Sequence, residues 1–182
     1  MKTKHVVNKV SIAIAFSSVV AFSAGSALAS PAHGSGKVAN GEPGKASSVS
    51  QTIELQMHDN YYSQEAVTVK KGETVRFIVK NTGDLVHEFN IGTPAQHAGH
   101  QEEMEMMVDH GILEADKINR HMMSMDMGGG KTMEHNDPNS VLLEPGETKE
   151  VIWLFSDSAT LEYACNVPGH YDLGMVGQIN FK

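Results

Sequence analysis

A two-residue alternation of apolar and polar side chains recurs along most of the chain and constrains its fold more than any other feature. The alternation is clearest from Ile53 to Met57 and from Val75 to Val79. It is typical of half-buried β-strands, because successive strand side chains point to opposite faces of a sheet. The predicted strands cover residues 53–57, 66–69, 75–79, 86–91, 141–143, 151–155, 159–165 and 176–181.

Turn residues separate these short strands, as at Glu144-Pro145-Gly146-Glu147, and this arrangement favours an all-β fold in which two sheets pack face to face. We expect an antiparallel β-sandwich with Greek-key connections. The predicted core includes Val75, Phe77, Val79, Trp153 and Phe155. The length of 182 residues fits one such domain and leaves little room for a second.

The first 29 residues have the pattern of an export signal. Three lysines precede an apolar run from Val10 to Phe22, and Ala27-Leu28-Ala29 supplies the small residues of a cleavage site. The apolar run is shorter than the roughly 18 to 20 residues that a membrane-spanning helix needs. We therefore predict a signal peptide at residues 1–29, cleavage before Ser30, a periplasmic location and no stable membrane insertion afterwards.

Residues 30–51 are rich in Gly, Ser, Ala, Pro and Lys and have no apolar period, which predicts a flexible tether or an extended first segment. The sandwich is then expected over residues 52–182, with an insertion of different character at residues 92–139. The net charge of −8 disfavours nucleic acid and anionic lipid as partners, because both repel a negatively charged protein.

Three residues with metal-binding side chains stand at regular spacing near the end of the chain. Cys165, His170 and Met175 form a C-x4-H-x4-M array between two predicted strands, and His87 adds a second imidazole from far upstream. A thiolate, two imidazoles and a thioether are the ligand set of blue-copper electron-transfer sites. Taken singly, the cysteine and the methionine would be ordinary core residues and His87 a hydrogen-bonded one. Their joint spacing and strand context favour copper.

Other uses of a lone cysteine fit less well. One cysteine allows no intramolecular disulfide, and a dinuclear copper centre needs two bridging cysteines. Multicopper oxidases carry His-x-His pairs on a much longer chain, and this sequence has none. A hydrolytic cysteine enzyme needs a base beside the thiolate. His170 could serve as that base, but Met175 would then be unexplained, so we expect no enzymatic activity.

The stretch from Cys165 to Met175, called the ligand loop below, resembles the corresponding loop of the cupredoxin family, which includes plastocyanin and azurin. The residues that carry the resemblance are the Cys165, His170 and Met175 array, the flanking Pro168-Gly169 and Gly174-Met175-Val176-Gly177, the upstream Pro145-Gly146-Glu147-Thr148 turn and the Trp153 strand. The resemblance covers about residues 52–181 without the insertion. It implies the cupredoxin fold, an eight-stranded Greek-key sandwich, with one type 1 copper.

By this resemblance, His87, Cys165 and His170 are equatorial copper ligands and Met175 is the weak axial ligand. The His170 ring is the expected exposed edge for electron exit. The chain departs from the family pattern directly after the first histidine. Family members often have Asn there, which ties the two ligand loops together by hydrogen bonds, whereas this chain has Glu88.

The insertion contains eight of the eleven methionines and five of the ten histidines. Thr93-Pro94 has the character of a helix start and Gly111 that of a stop, which predicts a helix from Pro94 to His110. One face of this helix could pack on the sandwich as an apolar stripe. Alternatively, that face and the Met/His-rich stretch after it could bind additional copper. The residues that share the face are His97, His100, Met104 and Met107.

An exported single-cysteine chain with an added Met/His-rich segment resembles the periplasmic copper-tolerance cupredoxins of bacteria. We accordingly expect a periplasmic type 1 copper protein that acts in copper tolerance, with one-electron redox at the copper and capture of excess copper ions by the insertion. A soluble electron-transfer shuttle between respiratory partner proteins is the alternative. A copper-handing chaperone or a weak cuprous oxidase would use the same residues with an exchangeable copper.

Overall fold

Ten strands, two α-helices and one short 3₁₀ helix make up the part of the chain that the structure, a computed structural model, describes: residues 41–123, 137–157 and 160–182. The strands are β1 (Glu42–Pro43), β2 (Gln51–His58), β3 (Tyr61–Tyr62), β4 (Ala66–Val69), β5 (Thr74–Asn81), β6 (His87–Gly92), β7 (Ser140–Leu143), β8 (Thr148–Leu154), β9 (Leu161–Ala164) and β10 (Val176–Phe181). The helices are α1 (Pro94–Asp109) and α2 (Arg120–Met123), and the 3₁₀ helix spans Ala46–Ser48.

The strands form two five-stranded sheets, which confirms the predicted β-sandwich. The first sheet has the order β1-β8-β5-β2-β3 and the second has the order β4-β10-β9-β6-β7. Each predicted strand overlaps an observed one. The five predicted core residues are confirmed, since each is at most 1% exposed. Burial of a large apolar side chain stabilises the folded state by about 1.5–3 kcal/mol. The inward-facing side chains of the predicted alternation therefore contribute strongly to the stability of the fold.

Most strand pairs in the sandwich are antiparallel, as expected, and two pairs are parallel. β2 pairs in parallel with β5, and β4 pairs in parallel with β10. The chain leaves β2 in the first sheet, enters the second sheet at β4 and returns to the first at β5. Because of this crossing, β5 runs beside β2 in the same direction. The described strands also exceed the expected eight, because the two-residue β1 and β3 lie at the edges of the first sheet.

The described part of the N-terminal segment joins the first sheet through the two-residue strand β1. Glu42 pairs with Leu154 and Pro43 with Trp153, so β1 lies along the edge of the first sheet. Gly41 lies so close to the Trp153 indole that a Cβ at this position would overlap the ring. The segment predicted as a tether or extended chain is therefore extended at Glu42–Pro43, and a 3₁₀ helix follows at Ala46–Ser48. Residues 1–40, with the predicted signal peptide and cleavage site, lie outside the described residues.

The predicted helix of the insertion is present as α1 and ends one residue before the expected end. The Gln96 amide donates to the Thr93 hydroxyl and the Thr93 amide donates to the Gln96 side chain, which is a capping box. Gly111, the expected stop, has a φ of +67°, a left-handed value that favours glycine. In the described ranges, no helix is both long and apolar enough to span a membrane.

One face of α1 packs on the sandwich, as the apolar-stripe alternative predicts. Met104 and Met107 are fully buried, and His97 is 1% exposed. The two methionines belong to a second apolar cluster, whose other members are Val86, Ile112, Leu113, Ile118 and Leu142. Met104 and Met107 are therefore packing residues. Residues 124–136, which carry the later part of the Met/His-rich stretch, lie outside the described residues.

Candidate metal centre

Neighbouring strands of the second sheet bring the four predicted ligand residues to one end of the sandwich. His87 begins β6, Cys165 follows β9 and Met175 directly precedes β10, with His170 in the loop between the last two strands. β9 pairs with both β6 and β10 in antiparallel register. The sheet therefore brings His87 to Cys165 although 78 residues separate them in the sequence.

The donor atoms of His87, Cys165 and His170 face one another. The two Nδ1 atoms are 3.2 Å apart, and Cys165 Sγ lies 3.3 Å from His170 Nδ1 and 3.9 Å from His87 Nδ1. A point about 2 Å from all three atoms lies inside this triangle. In proteins, zinc–nitrogen distances are about 2.0–2.1 Å and zinc–sulfur distances about 2.3 Å. These three buried residues can therefore bind one transition-metal ion.

Backbone hydrogen bonds inside the loop position the three predicted ligand residues near the C-terminus. The Met175 amide donates to the His170 carbonyl at 3.0 Å, and the Cys165 amide donates to the Met175 carbonyl at 3.1 Å. Gly169 and Gly174 have φ values of +86° and +92°, which are accessible mainly to glycine. Met175 is fully buried and shares the main core cluster with Cys165. The loop conformation is thus fixed by its own backbone.

Asp59 fixes the orientation of the His87 ring. The His87 Nε2–H donates to Asp59 Oδ1 at 3.0 Å, which leaves Nδ1 as the unprotonated nitrogen that faces Cys165 and His170. Asp59 also accepts hydrogen bonds from the backbone amides of Asp84 and Leu85. Burial alone would raise the pKa of Asp59, but these hydrogen bonds and the one with His87 lower it. Metal-binding histidines commonly donate their second ring N–H to a carboxylate in this way.

Burial keeps the candidate ligands uncharged when no metal is bound. It raises the pKa of the Cys165 thiol to about 12. It also lowers the pKa of His170 to about 4, and the nearby His87 adds to that shift. The pKa of His87 is lowered by burial against the opposing effect of Asp59. Neutral imidazoles can bind a metal directly, whereas the thiol must lose its proton on binding.

Comparison with known proteins agrees with this geometry. Residues 18–103 match a family model described as a cupredoxin-like domain. The chain is 48% identical over 167 residues to the copper-resistant cuproprotein CopI of Pseudomonas aeruginosa, which covers 86% of this chain and 88% of the relative. It is 34% identical over 140 residues to the copper-resistant cuproprotein CopI of Rubrivivax gelatinosus, which covers 76% of this chain and 71% of the relative. The chain belongs to the CopI family of cupredoxin-like proteins.

A solved structure supports the fold of this CopI-family chain. The reduced auracyanin of the photosynthetic bacterium Roseiflexus castenholzii is similar to it with a TM-score of 0.53 at 22% sequence identity. The similarity covers 74% of this chain and 98% of the auracyanin chain. The cupredoxin fold expected from the sequence is therefore confirmed.

Glu88 occupies the position at which the wider cupredoxin family often has Asn. Its Oε2 accepts hydrogen bonds from the Asn166 backbone amide at 3.2 Å and from Asn166 Nδ2 at 2.8 Å. The Glu88 amide in turn donates to Cys165 Sγ at 3.3 Å. In this CopI-family chain, Glu88 therefore connects the segment of His87 to the loop of Cys165, which is the role that the resemblance assigns to Asn.

The second oxygen of Glu88 connects the ligand region to the insertion. Glu88 Oε1 accepts hydrogen bonds from Ser140 Oγ at 2.6 Å, from His100 Nε2 at 3.0 Å and from Asn90 Nδ2 at 3.2 Å. Burial opposes protonation of His100, but the charges and hydrogen bonds of Glu88 and Glu103 raise its pKa to about 10. His100 is therefore an imidazolium at neutral pH, and its charge balances the fully buried Glu88 carboxylate.

His97 makes a second contact between α1 and the ligand loop. Its Nδ1 lies 3.2 Å from Asn166 Nδ2, which donates to it. Burial lowers the pKa of His97, against the opposing charges of Glu88 and Glu162, so the ring is neutral and can accept this hydrogen bond. The His97 ring also packs against Tyr171, with the ring centroids 5.9 Å apart. Both histidines of the predicted helix face therefore contact residues next to predicted ligands: His100 contacts Glu88, and His97 contacts Asn166.

The structure brings together the donor atoms of His87, Cys165 and His170 and buries Met175 in the same core. Their role as copper ligands stays a prediction. Sequence reasoning missed Asp59 and Asn166. Asp59 gives no signal, because it lies in an ordinary turn after β2. Asn166 gives only the weak signal of its position directly after Cys165.

We predict that His100 makes the stability of the metal-free chain depend on pH. Its pKa is about 10 in the folded chain, against about 6.5 in an unfolded chain. The stabilisation is therefore complete below about pH 6.5 and is lost as the pH rises toward about 10. Urea unfolding of His100→Gln should show a smaller decrease in the free energy of unfolding across this range than the wild type shows.

The control for this prediction is His110→Gln, which changes an exposed histidine just after α1. It should keep the pH dependence of the wild type between about pH 7 and pH 10, because its ring does not contact Glu88. Identical pH dependence in the wild type and in His100→Gln would contradict the ion pair between His100 and Glu88.

Proposed function

We propose that the chain binds one copper ion as a type 1 site, with His87, Cys165 and His170 as equatorial ligands and Met175 as the weak axial ligand. The observation that carries this proposal is the triangle formed by two imidazole nitrogens and one cysteine sulfur. Sulfur and imidazole donors suit copper, whereas hard cations prefer oxygen. Two relatives, each named a copper-resistant cuproprotein, support copper as the metal.

Bound copper would supply one-electron redox chemistry, and the surrounding residues would limit the structural change that accompanies it. Asp59 orients His87, the Glu88 amide donates to the cysteine sulfur, and loop hydrogen bonds position His170 and Met175. Burial of the four side chains excludes water from them. The proposal includes no catalytic reaction on a substrate.

We infer a role in copper tolerance in the periplasm. The names of the relatives support copper tolerance, and the signal-peptide pattern at residues 1–29 supports export. In this role the type 1 site binds and redox-cycles copper, and the Met/His-rich stretch of the insertion captures excess copper ions. Methionine-rich segments suit this task because thioether sulfur is a soft ligand that favours Cu(I).

An electron-transfer shuttle is the second candidate, and the exposure of Leu173 favours it. Leu173 lies in the ligand loop near His170 and is 68% exposed. An exposed apolar side chain at this place could contact a redox partner protein.

The copper-tolerance role and the electron-shuttle role differ in whether they need the insertion. Deletion of residues 124–136 should reduce growth on copper if the role is copper tolerance, whereas unchanged growth would favour the shuttle.

We predict an intense thiolate-to-copper absorption band when Cu(II) is added to the purified chain, with saturation at about one equivalent because one cysteine is available. Cys165→Ser should lose the band, since a hydroxyl does not replace the thiolate as a ligand. Visible absorption spectra recorded during the titration measure both. Absence of the band in the wild type, or its persistence in Cys165→Ser, would exclude Cys165 as a ligand.

We predict that Asp59→Asn lowers the Cu(II) affinity by about tenfold or more, because loss of the carboxylate makes His87 a weaker base. The reduction potential should rise, since a more basic ligand favours Cu(II) over Cu(I). Competition titrations and redox titrations measure these two quantities. The matched control is Asp84→Asn, which changes an exposed carboxylate in the nearby turn and should leave both unchanged. Equal effects of the two variants would contradict the assigned role of Asp59.

A further inference from the structure

We propose a second metal site, formed by His100, Glu103 and Asp137, that binds a divalent transition-metal ion such as Cu(II). One donor atom of each residue lies within 4.8 Å of the donor atoms of the other two. His100 and Glu103 are three residues apart on α1, and Asp137 lies just before β7. The site shares no ligand with the proposed type 1 centre and does not depend on that proposal.

The His100 ring is oriented as in a metal-binding histidine. Its Nε2–H donates to Glu88 Oε1 at 3.0 Å, and its Nδ1 lies 3.2 Å from Glu103 Oε2. A carboxylate on one ring nitrogen fixes which nitrogen faces a metal and increases the basicity of that nitrogen. Glu88 is fully buried and is also bound by Ser140 and Asn166, so it does not move freely. His100 Nδ1 is therefore directed toward the two carboxylates of the proposed site.

The carboxylates in this cluster favour a cation. The carboxylates of Glu88, Glu103 and Asp137 lie around the single His100 ring. A divalent ion that takes the place of the Nδ1 proton brings one more positive charge next to these carboxylates. The His100 and Glu103 side chains remain 10% and 14% exposed, which gives an ion access and leaves room for water as a further ligand.

The donor types indicate which metal binds. Imidazole and carboxylate suit borderline divalent ions, and among first-row ions Cu(II) binds such donors most tightly. Two methionines on the same helix face, Met104 and Met107, are fully buried in apolar packing and do not supply sulfur. We therefore assign this site to Cu(II) rather than to Cu(I).

The test adds Cu(II) to the purified full-length chain beyond the first equivalent and follows two signals. The thiolate-to-copper band reports the type 1 site. An electron paramagnetic resonance signal with wide copper hyperfine splitting reports the second site, which has no thiolate ligand. The variant Glu103→Gln/Asp137→Asn removes two carboxylates from the proposed site and leaves the contact between His100 and Glu88 in place. The control Glu102→Gln/Asp109→Asn removes two exposed carboxylates from α1.

We expect the second signal in the wild type and in the control, and a loss of Cu(II) affinity of at least about tenfold in Glu103→Gln/Asp137→Asn. The thiolate band should be the same in all three proteins. Equal affinities in the two double variants, or no second signal in the wild type, would overturn the second site. Loss of the thiolate band from the wild type would instead overturn the type 1 site, and the second signal would still report on the carboxylate cluster.

Discussion

The buried carboxylate of Glu88 connects the parts of the chain that form the ligand region. Its two oxygens accept hydrogen bonds from β6, β7, α1 and the loop after Cys165, through Asn90, Ser140, His100 and Asn166. Moving one charged group from water into a protein interior costs several kcal/mol unless partners compensate it. The four segments therefore depend on one another, because displacement of any one would leave the buried charge with fewer partners.

The presence of Glu88 at the position where the resemblance to the wider cupredoxin family leads us to expect Asn changes what the site requires. A neutral amide can connect two ligand loops without a counter-charge. A cation stabilises a carboxylate at 0% exposure, and His100 on α1 supplies one. The insertion helix is thereby part of the support of the ligand loops, and its removal would take away a charged partner of the buried carboxylate next to His87. This dependence distinguishes the insertion from a surface addition that the sandwich could lose without effect.

Local sequence patterns predicted the sandwich and three residues of the candidate site, because the signals lie within single segments. The alternation at Val75–Val79 identifies a strand by itself, and the spacing of Cys165, His170 and Met175 lies within one loop. The contacts of Asp59 with His87 and of Glu88 with Asn166 join residues 28 and 78 positions apart, so no local pattern contains them. The parallel pairing of β2 with β5 likewise depends on the order in which the chain visits the two sheets.

The helix face of the insertion shows a further limit of sequence reasoning. Periodicity correctly placed His97, His100, Met104 and Met107 on one side of α1. It could not decide between packing and metal binding, because methionine and histidine serve both. In the structure Met104 and Met107 fill an apolar cluster, whereas His100 lies among carboxylates. Whether a residue on this face packs or can bind a metal therefore depends on the side chains that contact it.

β6 and β7 are hydrogen-bonded antiparallel neighbours, so the whole insertion is topologically one hairpin loop. The entropic cost of closing a flexible loop rises only with the logarithm of its length, by about 0.6 kcal/mol for each doubling. Within this loop, α1 and its apolar cluster add stabilising contacts that a flexible connection without a helix would lack. A change in the length of the insertion outside α1 therefore costs little closure entropy, and the pairing of His87 with Leu143 holds the two strand ends together. The connection between β6 and β7 is thus a place where chain length can vary at small entropic cost, in contrast to the tightly turned loop between Cys165 and Met175.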